Sequence, residues 1–147
     1  MSHSEILKRN FPDIIHSTVN MCPENYDIIR FDKFLEKTFP NLNAFISSEI
    51  IGEIRKTLKQ KYGNDSNCVK EHGVLKTVDL STLKYYQQDV GINGPRHSTI
   101  DEPVFVINTG SESILLNGYH RVLFCIIDDK LEINSYTLTV NINETAS

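Results

Sequence analysis

The chain has 147 residues, with 15 lysines and arginines against 19 aspartates and glutamates, a net charge of −4 and a pI near 5.7. This balance disfavours a protein that coats nucleic acid through a broad basic surface, but it allows a local cationic pocket. Three scattered cysteines without a Cys-x-x-Cys pair disfavour a structural zinc site. The sequence shows no signal peptide and no apolar run of the roughly 18 residues that a membrane span needs, so we expect a cytoplasmic protein that does not bind membranes.

The sequence pattern predicts a helical layer over residues 1–73. The strongest helix is expected over residues 47–62, where apolar side chains recur at the spacing of one helical face. These side chains are Ile50, Ile51, Ile54, Leu58 and Tyr62. A second helix is expected over residues 32–39, and Pro40 stops it.

Strands are expected in the second half of the chain. Residues 74–80, 103–107 and 113–116 are short segments rich in apolar residues and bounded by turn residues. Over residues 136–142, apolar and polar residues alternate strictly, which indicates a strand with one buried face. The apolar run at 122–127 allows either a strand or a helix by pattern alone.

These segments together predict an α+β fold in a single domain over residues 1–147. A small mixed sheet would form its core, and the helical layer of residues 1–73 would pack against that sheet. A chain of this length can bury such a core without disulfides or a structural metal ion.

The segment from Asn117 to Arg121 reads Asn-Gly-Tyr-His-Arg and directly follows an apolar strand. Arg121 carries a forked, permanently charged donor face that matches two oxygens of one phosphate. His120 can donate, accept or move a proton near neutral pH. Gly118 allows the backbone to approach a ligand closely, and a helix that begins here would add its free N–H groups. The residues therefore indicate an oxyanion site, with phosphate as the expected ligand.

The same residues also allow a simpler interpretation. Asn-Gly is a common hairpin turn, Arg121 would then be a surface charge, and His120 would be an interior histidine with an ordinary partner. Because a motif of this length is not specific, the residues alone leave both interpretations open.

The order of these segments resembles the ParB/sulfiredoxin superfamily, and in particular its ParB-like nuclease-type domains. In those domains a strand ends in a Gly-x-His-Arg sequence at a helix start, and their usual Asp-Gly-His-His-Arg corresponds to residues 117–121. Upstream, Asp-Leu-x-x-Leu at residues 79–83 and Gln-x-x-Val-Gly at residues 87–91 match segments of some members. The resemblance covers residues 74–142 as a ParB/sulfiredoxin-like core and implies that a helix starts at the Gly-x-His-Arg motif. It leaves residues 1–73 unexplained.

The resemblance also implies roles for individual residues. The residues implied to bind phosphate are Asn117, Gly118, Tyr119, His120 and Arg121. Gln87 is a further candidate that could reach the phosphate or hold the loop of the pocket, although an exposed polar residue at the end of a strand explains it as well. His120 and Arg121 would carry any catalysis. Tyr119 stands where sulfiredoxins have their reactive cysteine, so repair of oxidised peroxiredoxin is not expected. Tyr119 also replaces the first histidine of the double-histidine members, and a phenol is a poor base at neutral pH.

Three further residues are candidates for the same site. Arg96 and His97 lie in a loop with Gly, Pro and Ser and could close over a ligand, although an ordinary solvent loop explains them as well. Glu102 could hold Mg²⁺ or act as a base, or it could simply be a solvated charge. The sequence does not identify metal ligands.

We therefore expect a domain that binds the phosphate of a nucleotide or a nucleic acid such as DNA. It would hydrolyse or transfer that phosphate as a nuclease or nucleotidase does, with Mg²⁺ and ATP or CTP as the cofactors that such chemistry could use. The alternative is a non-catalytic regulator from a phage or mobile element, which senses a nucleotide or blocks a protein partner through the same residues. Metal-dependent turnover would separate the two.

Overall fold

Short helices and strands are interleaved along the chain, and a computed structural model describes residues 3–18, 26–40, 44–91 and 102–142. The helices are α1 (His3–Asn10), α2 (Phe31–Thr38), α3 (Ser48–Tyr62), α4 (Cys68–His72) and α5 (Tyr119–Ile127). The strands are β1 (Ile15–Thr18), β2 (Tyr26–Arg30), β3 (Val74–Asp79), β4 (Leu83–Lys84), β5 (Asp89–Gly91), β6 (Val104–Asn108), β7 (Ser113–Asn117) and β8 (Glu132–Thr139). The predicted α+β class is confirmed. Across the described ranges, no helix is long and apolar enough to cross a membrane.

The larger sheet is mixed and has five strands in the order β3-β8-β6-β7-β4. Strand β6 pairs in parallel with β8 and antiparallel with β7. The sheet belongs to a compact unit built from the described parts of residues 44–86, 103–118 and 132–147. The apolar stripe predicted for α3 is buried in this unit, where Ile51 and Ile54 share one core cluster with residues of the strands and of α4. Its burial supplies a large hydrophobic contribution to the stability of the unit.

A smaller antiparallel sheet has three strands in the order β1-β2-β5. It belongs to a second compact unit, built from the described parts of residues 1–43, 87–102 and 119–131. Aromatic rings fill the core of this unit. The ring of Phe34 meets Phe11 edge-on at 5.0 Å and stacks on Phe31 at 6.0 Å, and Phe31 meets Tyr119 edge-on at 5.6 Å. Such pairs add about 0.5–1.5 kcal/mol each beyond the burial of their area.

The prediction that residues 1–73 are helical is wrong over β1 and β2. These strands have four and five residues, and β2 is paired on one side by β5, which lies some sixty positions further along the chain. Strands this short show little local periodicity, so local pattern alone does not identify them. The predicted layer boundary near residue 73 does not separate the two units either, because each unit combines segments from several parts of the chain. The single domain predicted over residues 1–147 stays a prediction.

Strand β8 differs from the strand predicted over residues 136–142. It begins earlier, and although Leu138 is buried as expected, Ser135 and Thr137 of the opposite face are buried too. The prediction of a single buried face is therefore wrong. The buried hydroxyls are satisfied, since Ser135 Oγ donates to the backbone oxygen of Lys76 at 3.2 Å and lies 2.7 Å from Thr137 Oγ1. Polar side chains can occupy such positions only when they find partners of this kind.

The Asp-Leu-x-x-Leu segment at residues 79–83 has a clear structural role. Asp79 caps the short 3₁₀ helix Leu80–Thr82, because its Oδ1 accepts hydrogen bonds from the hydroxyl of Ser81 at 2.8 Å and from the backbone N–H of Ser81 at 2.9 Å. These two hydrogen bonds hold the pKa of Asp79 below its ordinary value, and the bond from the Ser81 hydroxyl has the larger effect. Leu80 and Leu83 are buried. The segment thus fixes the turn between β3 and β4.

We expect Asp79→Ala to lower the free energy of unfolding at neutral pH by about 0.5–1 kcal/mol, because the turn loses its cap. Since the native pKa of Asp79 lies below the unfolded value, this stabilisation is fully present above the ordinary aspartate pKa of about 3.9. It is lost as the pH falls through the native pKa. Urea unfolding of both proteins at neutral and at acid pH measures the effect. A stability difference that stays the same in acid would contradict the capping role of the carboxylate.

Candidate functional site

The Asn-Gly-Tyr-His-Arg motif lies where β7 ends and α5 begins. Strand β7 ends at Asn117 and α5 starts at Tyr119, so Gly118 is the single residue between them. The apolar run at 122–127, which the pattern left open between strand and helix, lies in α5. The boundary between the two compact units passes between Gly118 and Tyr119, and each half of the motif therefore has its own surroundings.

Gly118 is buried and has a φ of 110°, a conformation that residues with a side chain rarely adopt. A Cβ atom added at this position would lie 2.5 Å from Cγ1 and 2.8 Å from Cβ of Val104. The close approach that glycine permits here is thus an approach to Val104. Asn117 is exposed at the end of β7, and the predicted phosphate contacts of both residues stay predictions.

Tyr119 points into the core of its unit. The residue is buried, and its ring meets the edge of the Phe31 ring at 5.6 Å with an interplanar angle of 73°. A ring in this position stabilises the aromatic core and does not stack on a base. The predicted phosphate contact of Tyr119 stays a prediction.

His120 is held against strand β5. Its Nε2 forms a hydrogen bond with the backbone oxygen of Gly91. Because a carbonyl oxygen only accepts, Nε2 must carry a proton, and the lone pair of the neutral ring then lies on Nδ1. The Gln-x-x-Val-Gly and Gly-x-His-Arg segments thus meet through this bond. Sequence reasoning did not find this partner, because a backbone acceptor leaves no signal in side-chain identity.

Arg121 lies beside Glu102. Its Nη1 donates to the backbone oxygen of Glu102 at 2.8 Å and lies 3.9 Å from the carboxylate Oε2 of the same residue. The side chain of Arg121 is only 16% exposed, whereas that of Glu102 is 65% exposed. Burial lowers the pKa of Arg121, and the charge of Glu102 offsets part of this effect. A cation that has lost much of its hydration gains from an anionic partner.

The remaining candidates from the sequence are Gln87, Arg96 and His97, and a metal role for Glu102. Gln87 is exposed and lies just before β5. Arg96 and His97 fall outside the described residues. Within the part of the chain that the structure describes, no group of three or more His, Cys, Asp or Glu side chains could hold a metal ion. Glu102 is therefore not part of such a group among the described residues, and a role for Mg²⁺ stays a prediction.

Comparisons with models of protein families, with curated proteins and with solved structures found no match to this chain. The ParB/sulfiredoxin resemblance therefore stays a prediction from the sequence motifs.

We expect Gly118→Ala to lower the free energy of unfolding by about 2–5 kcal/mol, because a strained backbone and a collision with Val104 act together. Gly110→Ala is the matched control. Gly110 also has a positive φ, of 97°, but an added Cβ would meet no atom within 4 Å. That variant should lose only the backbone contribution of about 1–2 kcal/mol. Chemical denaturation of the two variants compares them directly, and equal losses would show that the contact with Val104 does not constrain residue 118.

Proposed function

We propose that the chain binds the phosphate of a nucleotide or nucleic acid at the first turn of α5, with Arg121 as the main contact. The observation that carries this proposal is the environment of Arg121. Its side chain is only 16% exposed, burial lowers its pKa, and the well-exposed carboxylate of Glu102 is a charged neighbour. A forked donor group in such surroundings can form two charge-assisted bonds to one phosphate. The backbone N–H groups of the same turn favour the same charge.

His120 supports the proposal by its orientation. The bond from Nε2 to Gly91 fixes the ring against β5 and directs proton transfer to Nδ1. In a hydrolytic reaction, a water oxygen would bond to phosphorus while the bond to the leaving oxygen breaks. Nδ1 of His120 would take the proton that this water releases. Cleavage of a phosphoester or phosphoanhydride is the reaction that this arrangement suits.

The second candidate function is phosphate binding without cleavage, by a regulator that senses a nucleotide or blocks a protein partner. The burial of the Tyr119 ring favours it. This side chain stands where the double-histidine members have their first histidine, and a phenol is a poor base at neutral pH, so that position of α5 offers no second base. A protein of this kind would bind the ligand tightly and release it unchanged.

A panel of nucleotides and short DNA, with and without Mg²⁺, would first identify a ligand by its effect on the melting temperature. For that ligand, we expect Arg121→Lys to weaken binding about tenfold, because the charge remains but the fork is lost. Arg121→Ala should weaken it about a hundredfold. Titration calorimetry measures both changes. Arg9→Ala removes the same charge from an exposed position of α1 and should leave the affinity unchanged.

Unchanged affinity in a folded Arg121→Ala protein would remove the phosphate site from α5. Single-turnover rates separate the two candidate functions. If the chain is a hydrolase, His120→Ala should lower the rate much more than the affinity. A chain that binds a member of the panel but cleaves none, with or without Mg²⁺, is a regulator.

A further inference from the structure

Strand β3 forms one edge of the larger sheet. Among the described residues it pairs only with β8. The hydroxyl of Ser135 on β8 donates to the backbone oxygen of Lys76, so the backbone groups of Lys76 point towards β8. Because these groups alternate in direction along an antiparallel strand, the N–H and C=O groups of Leu75 and Thr77 point away from the sheet. This edge can therefore form hydrogen bonds with a further strand.

The edge also exposes large apolar side chains. Val74 is 65% exposed and Leu75 is 58% exposed, and consecutive residues of a strand point to opposite faces of the sheet. Thr137 of β8 lies opposite Val74 and is buried, so on this face the burial ends between β8 and β3. An added strand would remove both apolar side chains from water, which favours its binding.

Lys76 is the charge that an added strand would meet near the centre of β3. Its side chain is exposed, and it forms no ion pair within the described part of the chain. Val74 and Val78 flank it on the same face. Opposite charges and apolar pairs stabilise directly facing positions of two strands. A strand with an acidic residue opposite Lys76 and apolar residues opposite the two valines would therefore complement this face.

A second copy of β3 is a poor match for this edge. Two identical antiparallel strands related by a two-fold axis can overlap over most of β3 in two registers, centred on Lys76 or on Thr77. The first places Lys76 opposite Lys76 of the second copy, and like charges in this position repel. The second places Leu75 opposite Asp79 of the second copy, and Lys76 opposite its Val78. Neither register pairs the lysine with an anion.

We propose that the edge of β3 binds an extended segment of a partner protein by strand addition. This segment carries an acidic residue opposite Lys76 and apolar residues opposite Val74, Leu75 and Val78. Hydrogen bonds to the outward backbone groups of Leu75 and Thr77 supply affinity, and the alternating side chains supply specificity. The site lies in the unit that contains the larger sheet and uses none of the residues assigned to phosphate binding.

The probe is the peptide Ser-Val-Thr-Glu-Ile-Val-Ser, blocked at both ends, which places its glutamate opposite Lys76 when it pairs antiparallel. An NMR titration measures its affinity for the full chain. Binding should slow the hydrogen exchange of the amides of Leu75 and Thr77, which have no strand partner among the described residues of the free chain. Lys76→Glu should weaken binding about tenfold, because attraction becomes repulsion.

A charge swap separates recognition from a change in the fold. A peptide with lysine in place of its glutamate should bind the Lys76→Glu variant about as tightly as the original peptide binds the wild-type chain. Lys56→Glu is the control for net charge, because it makes the same change at an exposed position of α3. It should leave the affinity for the original peptide unchanged.

Backbone pairing has its own matched control. N-methylation of the peptide isoleucine, which faces Leu75, removes a donor that points at β3 and should abolish binding. N-methylation of the glutamate alters an amide that points away from β3 and should have little effect.

Three results would overturn the proposal. The first is an absence of binding by the peptide, and the second is equal losses from the two N-methylations. The third is self-association of the wild-type chain that Leu75→Lys abolishes in sedimentation equilibrium, since it would assign the edge to a second copy.

Discussion

The passage of the chain from β7 to α5 depends on the close approach of Gly118 to Val104. The chain passes from β7 to α5 within this one residue, at a φ of 110° and without space for a Cβ atom. A side chain at this position would force the backbone to shift, and the first residue of α5 would shift with it. The glycine of the Gly-x-His-Arg motif thus has a structural reason to be there, whether or not a ligand approaches it.

The start of α5 determines what each following side chain does. Successive residues of a helix point about 100° apart, so three consecutive residues can face three different surroundings. Tyr119 enters the aromatic core, His120 bonds to the backbone of β5, and Arg121 reaches Glu102. Of these contacts, the ion pair of Arg121 with an exposed carboxylate is the one that a ligand can most easily exchange. This difference is why the proposed phosphate contact is assigned to Arg121.

Local pattern was sufficient where an element buries a regular apolar face. Helix α3 was predicted close to its observed bounds because its apolar residues recur at helical spacing, and strands β6 and β7 because they are short apolar segments bounded by turn residues. Strand β3 was also predicted close to its bounds, although most of its residues are exposed. Strands β1 and β2 were missed, since strands of four and five residues are too short to show a clear local period. The second buried face of β8 was missed because Ser135 and Thr137 are polar, and their burial depends on hydrogen bonds that composition does not reveal.

The sequence predicted only part of the candidate site. Residue chemistry identified His120, Arg121 and Glu102 as candidates, but it could not identify the carbonyl of Gly91 as the partner of His120. Residue chemistry also could not show that Tyr119, whose neighbours in the motif are polar, differs in role from the residues proposed to bind the ligand. The edge-on contact of its ring with Phe31 depends on α2, which lies far away in sequence. Such assignments require the packing of distant elements.

The most direct test is an NMR titration of the isotope-labelled chain with the nucleotide that gives the largest thermal shift. If Arg121 binds the phosphate at the first turn of α5, the largest changes should occur in the backbone amides of residues 119–122 and in the Nε–H of Arg121. The side-chain signals of His120 should change with them. Large changes confined to other elements, such as α3, would contradict the assignment. Unchanged signals of Arg121 at saturating nucleotide would contradict it equally.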